Sequence, residues 1–171
     1  HNEANAILSS CVEHNFRSLG IDNVLMSNQM VNADNIDAIL SEYNPEIVFM
    51  DPARRDSSGK KVFLLEDCSP DVLKLKDRIF EHCRYILLKL SPMADIKMAV
   101  NRLGKVKEVH TVAIGGECKE LLILMDREYS GSGYEIIVNE SSNIMRFSDS
   151  EESRAYVSFL SASDEIANYI L

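Results

Sequence analysis

The residues of this 171-residue chain that could do chemistry sit at the ends of short apolar runs. Ile47-Val48-Phe49-Met50 leads directly into Asp51-Pro52-Ala53-Arg54-Arg55, so one carboxylate and two guanidiniums follow a stretch suited to burial. Tyr85-Ile86-Leu87-Leu88 leads in the same way into Lys89-Leu90-Ser91-Pro92-Met93. Guanidiniums grip phosphate or carboxylate bidentately, which makes Arg54 and Arg55 candidate contacts to an anionic substrate; ion pairs with Asp51, Asp56 or Glu66 are the plainer use. Lys89 and Ser91 are candidates for the same substrate, although a lysine at a strand end also carries its charge to water over an apolar stem. Asn28, with Gln29 beside it, offers an amide for ligand contact and would serve equally as a helix N-cap ahead of Val31.

Other polar groups point to no chemistry. Cys11, Cys68, Cys83 and Cys118 are widely spaced with no CxxC pair, which suits reduced thiols and not a metal site. His14, His82 and His110 lack ligand spacing, and Glu66-Asp67 lacks the further ligands a cation would require. Glu117, Lys119 and Glu120 either close one side of a pocket or are simply solvated in a turn. No metal is expected.

The elements that must position these groups follow from periodicity. Apolar residues at three- and four-residue steps predict a helix with one buried face over residues 3–19, stopped by Gly20. A short strand is expected at 23–26, and a second helix at 31–43, broken by Asn44-Pro45. Residues 46–50 and 85–90 read as strands buried on both faces, with helices at 71–82 and 95–103 after them in alternation. Residues 106–114 and 119–125 flank a glycine-rich turn and predict an antiparallel hairpin. One more strand at 134–138 and an amphipathic tail over 161–171 complete the chain, and no internal repeat is seen. Alternating helix and buried strand implies a parallel sheet covered on both faces, whose ligands bind outside the carboxyl ends of the strands. Asn28, Asp51 and Lys89 each stand at or just past such an end.

Composition narrows the partners. With 46% hydrophobic residues the chain can bury an ordinary core. No uncharged apolar run approaches a membrane span, and the opening stretch has no secretory pattern, so a soluble cytoplasmic protein is expected. A net charge of -9 opposes non-specific attraction to a phosphate backbone, so any nucleic-acid contact must be local. The local exception is Arg54, Arg55, Lys60 and Lys61.

Phe49-Met50-Asp51-Pro52-Ala53-Arg54-Arg55, then Gly59-Lys60-Lys61-Val62-Phe63 and Cys68-Ser69-Pro70-Asp71, together resemble class I S-adenosylmethionine-dependent methyltransferases that carry a DPARR signature and a THUMP-like domain. His14-Asn15-Phe16, Lys89-Leu90-Ser91-Pro92-Met93 and Gly116-Glu117-Cys118-Lys119-Glu120-Leu121-Leu122 are similar to further stretches of that family, in the same order. The resemblance implies a partial Rossmann-like class I methyltransferase sheet, α/β and mostly parallel, closing in a C-terminal antiparallel hairpin. It implies the later part of a catalytic domain over residues 1–127, with a terminal strand and linker or helix over 128–171. The family's glycine-rich cofactor loop is not among these residues, so this piece alone is expected to be inactive, with strand edges left open to another polypeptide or to self-association.

In that family pattern, Asn28 or Gln29 falls where a polar residue meets the adenine of the cofactor. Asp51-Pro52 resembles the motif whose acid and following carbonyl orient an amine for attack on the methyl group, and Asp51 thereby also borders the cofactor. Arg54 stands next to it as a third catalytic candidate. Nucleic-acid amine methyltransferases continue with a proline and a stacking aromatic where this chain has Ala53 and Arg54, which bears against a base amine as acceptor. RNA is the acceptor that the resemblance suggests. Two other classes fit some of these residues: a non-catalytic Rossmann-like binding or interaction domain, and a receiver-type signalling domain with Asp51 as phosphoacceptor.

Overall fold

A computed structural model describes residues 1–53, 65, 68–141 and 143–156. Arg54, Arg55, Lys60, Lys61, the Glu66-Asp67 pair and the predicted tail at 161–171 lie outside the described residues. The elements in order are α1 (Ala6–Ser18), α2 (Ile36–Tyr43), β1 (Ile47–Met50), α3 (Val72–His82), β2 (Tyr85–Leu90), α4 (Ile96–Leu103), β3 (Val106–Ile114), β4 (Glu117–Asp126), β5 (Glu135–Glu140), β6 (Asn143–Ser148) and α5 (Asp149–Arg154).

All six strands join one sheet in the order β1-β2-β4-β3-β5-β6. β1 runs parallel to β2 and β3 parallel to β5, while β4 is antiparallel to both β2 and β3, and β6 antiparallel to β5. The α/β class and the β3–β4 hairpin are thus as expected from the sequence. The hairpin turns back inside the sheet, placing β4 directly against β2.

Burial explains why these segments hold. β2 alternates, with Ile86, Leu88 and Leu90 buried under the helices and Tyr85, Leu87 and Lys89 on the opposite face. α3 answers with Val72, Leu75, Ile79 and Phe80, and α4 with Ala99 and Leu103. Asp71 caps α3 by accepting from the Lys74 amide at 3.2 Å, and Asp95 caps α4 by accepting from Met98 at 2.9 Å.

Two carboxylates, Asp37 and Asp126, fasten elements through ion pairs. Asp37 of α2 takes Arg78 and, at 3.3 Å, His82, both from α3. Asp126, 4% exposed at the end of β4, accepts from Arg84 Nε at 3.2 Å and Nη2 at 3.3 Å, and from the Glu128 amide at 3.0 Å. Burial alone would raise the Asp126 carboxyl, but the Arg84 hydrogen bond, the Glu128 amide and the Arg84 charge together hold it below the ordinary carboxylate range. The Arg78 hydrogen bond does the same for Asp37.

Several expectations need correction. Residues 23–26 form no strand; the segment makes an isolated parallel bridge, Asn2 with Ser27, because its hydrogen-bonding partner is the N-terminal stretch and not the sheet. The apolar face of α1 is not buried: Ile7 is 76% and Leu8 52% exposed, since no sheet face lies against it among the described residues. The second helix begins at Ile36, not at residue 31, because Asn32 and Asn35 spend their side chains on turn amides. β1 is an edge strand among the described residues, with Ile47 47% and Phe49 58% exposed, although both faces were expected to be covered. It lacks the charges and prolines that usually blunt an edge. No described helix is long and apolar enough to cross a membrane.

Two outcomes follow in urea denaturation. Leu88→Ala should cost about 3 kcal/mol and Phe49→Ala less than about 1, because only the first empties a packed site; equal losses would mean that the outer face of β1 is covered in solution. Asp37 and Asp126 have depressed folded values, so their contribution is full above the unfolded carboxyl value of about 4 and is lost as pH falls below it. Stability should therefore drop on acidification from about pH 5 to pH 3, and Asp126→Asn should start lower at neutral pH and fall less.

Candidate functional site

The geometry of the site begins with the register of β2. Met50 pairs with Leu88 across the parallel β1–β2 ladder, so Asp51, the residue just after β1, stands beside Lys89. Paired residues share a face, and successive residues alternate. Met50 and Leu88 are buried under the helices; Asp51 and Lys89 consequently lie together on the other face. Across the antiparallel ladder Lys89 pairs with Leu122 and Leu90 with Leu121. Glu120 thus shares the face of Leu122 and projects just past the end of β2. Three elements converge on one point, the carboxyl end of the parallel pair.

The side chains meet there. Lys89 Nζ is 2.5 Å from Asp51 Oδ2 and 3.8 Å from Glu120 Oε2. Their side chains are 28%, 47% and 44% exposed for Lys89, Asp51 and Glu120, so this pairing is open to solvent on one side. Pro52 is buried, and Ala53 then bridges to Ser69 by two backbone hydrogen bonds, the Ala53 amide donating to the Ser69 carbonyl at 2.8 Å and the Ala53 carbonyl accepting from the Ser69 amide at 3.0 Å. That bridge brings the segment just before α3 to the end of β1. Ser91 shapes the exit from β2: its hydroxyl accepts from the Met93 amide at 3.2 Å and its carbonyl from Ala94 at 2.9 Å.

The structure brings Asp51, Pro52, Lys89 and Ser91 to one end of the sheet, as the sequence leads one to expect. The Asn28 amide donates to the Glu3 carbonyl at 2.6 Å and the Ala4 carbonyl at 3.1 Å, and the Gln29 backbone exchanges hydrogen bonds with the Asn2 side chain. The Gln29 side chain donates to Ser27 Oγ at 3.1 Å. Arg54 and Arg55 lie outside the described residues. Glu120, which the sequence leaves open between one side of a pocket and a solvated turn, is brought to Lys89 by the antiparallel placement of β4 against β2. Among the described residues no three His, Cys, Asp or Glu side chains converge as a metal site would require.

No family model and no curated protein matches the chain. Among solved structures it is similar to a putative methyltransferase from Porphyromonas gingivalis W83, at 25% identity and a TM-score of 0.73, over 94% of this chain and 41% of that one. The chain therefore spans about two fifths of that protein's length, and its mixed six-stranded sheet is a fold shared with a methyltransferase-like neighbour.

Because the Asp51 carboxylate is half exposed and outside the packed core, Asp51→Ala should leave the melting temperature within about 3 °C of the parent, by calorimetry or circular dichroism. A drop beyond about 8 °C would make Asp51 a structural residue.

Proposed function

We propose that the whole protein to which this chain belongs transfers a methyl group from S-adenosylmethionine, with RNA as acceptor, and that Asp51 orients the accepting group. The observation that carries this reading is the position of Asp51: an open carboxylate at the carboxyl end of a parallel strand, in a fold similar to that of a methyltransferase-like protein. Ligands of open α/β sheets bind in that crevice.

The groups at hand suit one side of such a cofactor. A sulfonium is a cation, and two carboxylates, Asp51 and Glu120, against one ammonium, Lys89, leave these three groups with a net negative charge. Asp51 and Pro52 would border it. Bound there, S-adenosylmethionine supplies a methyl carbon made electrophilic by the positive sulfur. The chain's own part is to place the acceptor: the Asp51 carboxylate accepts a hydrogen bond from the attacking group and holds it in line, and positioning of that kind accounts for much of the rate in a transfer between two bound partners. Arg54 and Arg55, next in sequence, supply the local positive charge with which an otherwise acidic chain would hold an RNA phosphate. The DPARR resemblance supports RNA over other acceptors.

The receiver-type alternative is disfavoured by the sheet itself. A receiver sheet is parallel throughout, and here an antiparallel strand lies against β2.

Titration calorimetry with S-adenosylhomocysteine on the whole protein should show binding with a Kd in the micromolar range, about 8 kcal/mol. This 171-residue piece by itself should show none. Radiolabelled methyl transfer to unmodified cellular RNA should be abolished by Asp51→Ala in the whole protein without loss of folding. Absence of binding by the whole protein would favour the non-catalytic scaffold.

A further inference from the structure

We propose that Lys89 acts as the positioning residue of the Asp51 carboxylate instead of as a substrate contact, and that Glu120 is the second anion that fixes where its ammonium sits. For its catalytic meaning this rests on the reading of Asp51 given above; its geometry does not.

Lys89 emerges on a sheet face whose neighbours along and across the strands are Leu87 and Leu122, and only 28% of its side chain meets solvent. An ammonium so placed needs counter-charge. Asp51 supplies it at 2.5 Å, and Glu120 stands on the far side at 3.8 Å. The Asp51 contact is at hydrogen-bond distance, and the Glu120 contact is a longer ion pair that acts on the ammonium by charge.

The two contacts differ in what holds them. Glu120 lies within β4 and pairs with Val112 of β3, one residue past the last pair with β2, Leu121 with Leu90. Asp51 lies one residue past the end of β1, a strand with a single partner among the described residues. Held by the rigid side, Lys89 therefore sets the place of the looser carboxylate. A lysine committed in this way to two anions has little charge left for a substrate phosphate, which leaves that task to Arg54 and Arg55.

The test uses the whole protein with isotope-labelled lysine. Hydrogen exchange of the Lys89 ammonium, read by NMR, should be slow in the parent, fastest in Asp51→Asn and at least about threefold faster than the parent in Glu120→Gln. In methyl transfer to RNA, Lys89→Met should lower kcat about 100-fold while leaving KM for S-adenosylmethionine within about threefold. Lys89→Arg should recover activity to within about tenfold of the parent, and Glu120→Gln should lower kcat by roughly 3- to 10-fold. A rise in RNA KM in Lys89→Met with kcat unchanged would overturn the proposal, because that is the mark of a substrate contact. Equal ammonium exchange in the parent and Glu120→Gln would overturn it too, whether or not methyl transfer is found. If the parent transfers no methyl while the exchange contrast stands, the functional reading falls and the anchoring of Asp51 survives.

Discussion

The arrangement depends on β2 being paired in opposite senses on its two sides, parallel to β1 and antiparallel to β4. A parallel partner ends where β2 ends, while an antiparallel partner begins there. The last residue of one neighbour and the first residues of the other are therefore delivered to a single point. With a parallel strand in the place of β4, the residue beside the end of β2 would be another strand end, and Glu120 would have no route to Lys89. Hydrophobic alternation fixes which face receives the polar groups, since Ile86, Leu88 and Leu90 cannot leave the helices without exposing the core.

The same strand is anchored by an ion pair at each end, and their contrast separates structure from chemistry. At the start of β2, Arg84 meets an Asp126 that is only 5% exposed in its side chain, with the Glu128 amide completing the carboxylate's partners. That pair is closed and ties the end of β4 to the start of β2. At the end of β2, Lys89 meets an Asp51 that is 47% exposed. That pair is open, and an open carboxylate beside a fixed ammonium can accept a further hydrogen bond from outside. A buried, fully partnered carboxylate such as that of Asp126 resists such exchange because breaking its contacts strands a charge.

Much of this was legible in the sequence, and the exceptions have physical causes. β1, β2, α3 and α4 could be read because each carries its own periodicity together with a stop or cap signal, such as Asp71 and Asp95. Asp51 and Lys89 could be read because each ends an apolar run. The place of Glu120 beside Lys89 could not, since strand order is set by contacts distant in sequence. The β6 strand was missed because Asn143-Ile144-Met145-Arg146 has no alternation, its side chains being exposed at the sheet edge. The short α5 had a signal that went unused, a capping box of Ser148 with Glu151. The N-terminal misreading has the opposite origin: Leu25 and Met26 look like strand residues, yet this segment bonds the N-terminal stretch and not the sheet, and α1 has an apolar stripe whose Ile7 and Leu8 stay exposed, because periodicity describes a face without saying what covers it.

The most direct measurement of the central claim, that the ligand mouth lies where β1 and β2 end, is methyl NMR of the whole protein titrated with S-adenosylhomocysteine. Met50 and Met93 flank that mouth, and Met145 lies on β6 at the far edge of the sheet. The account predicts saturable shifts at Met50 and Met93 with Met145 unmoved. Saturable shifts confined to Met145 and its neighbours, with Met50 and Met93 silent, would contradict it.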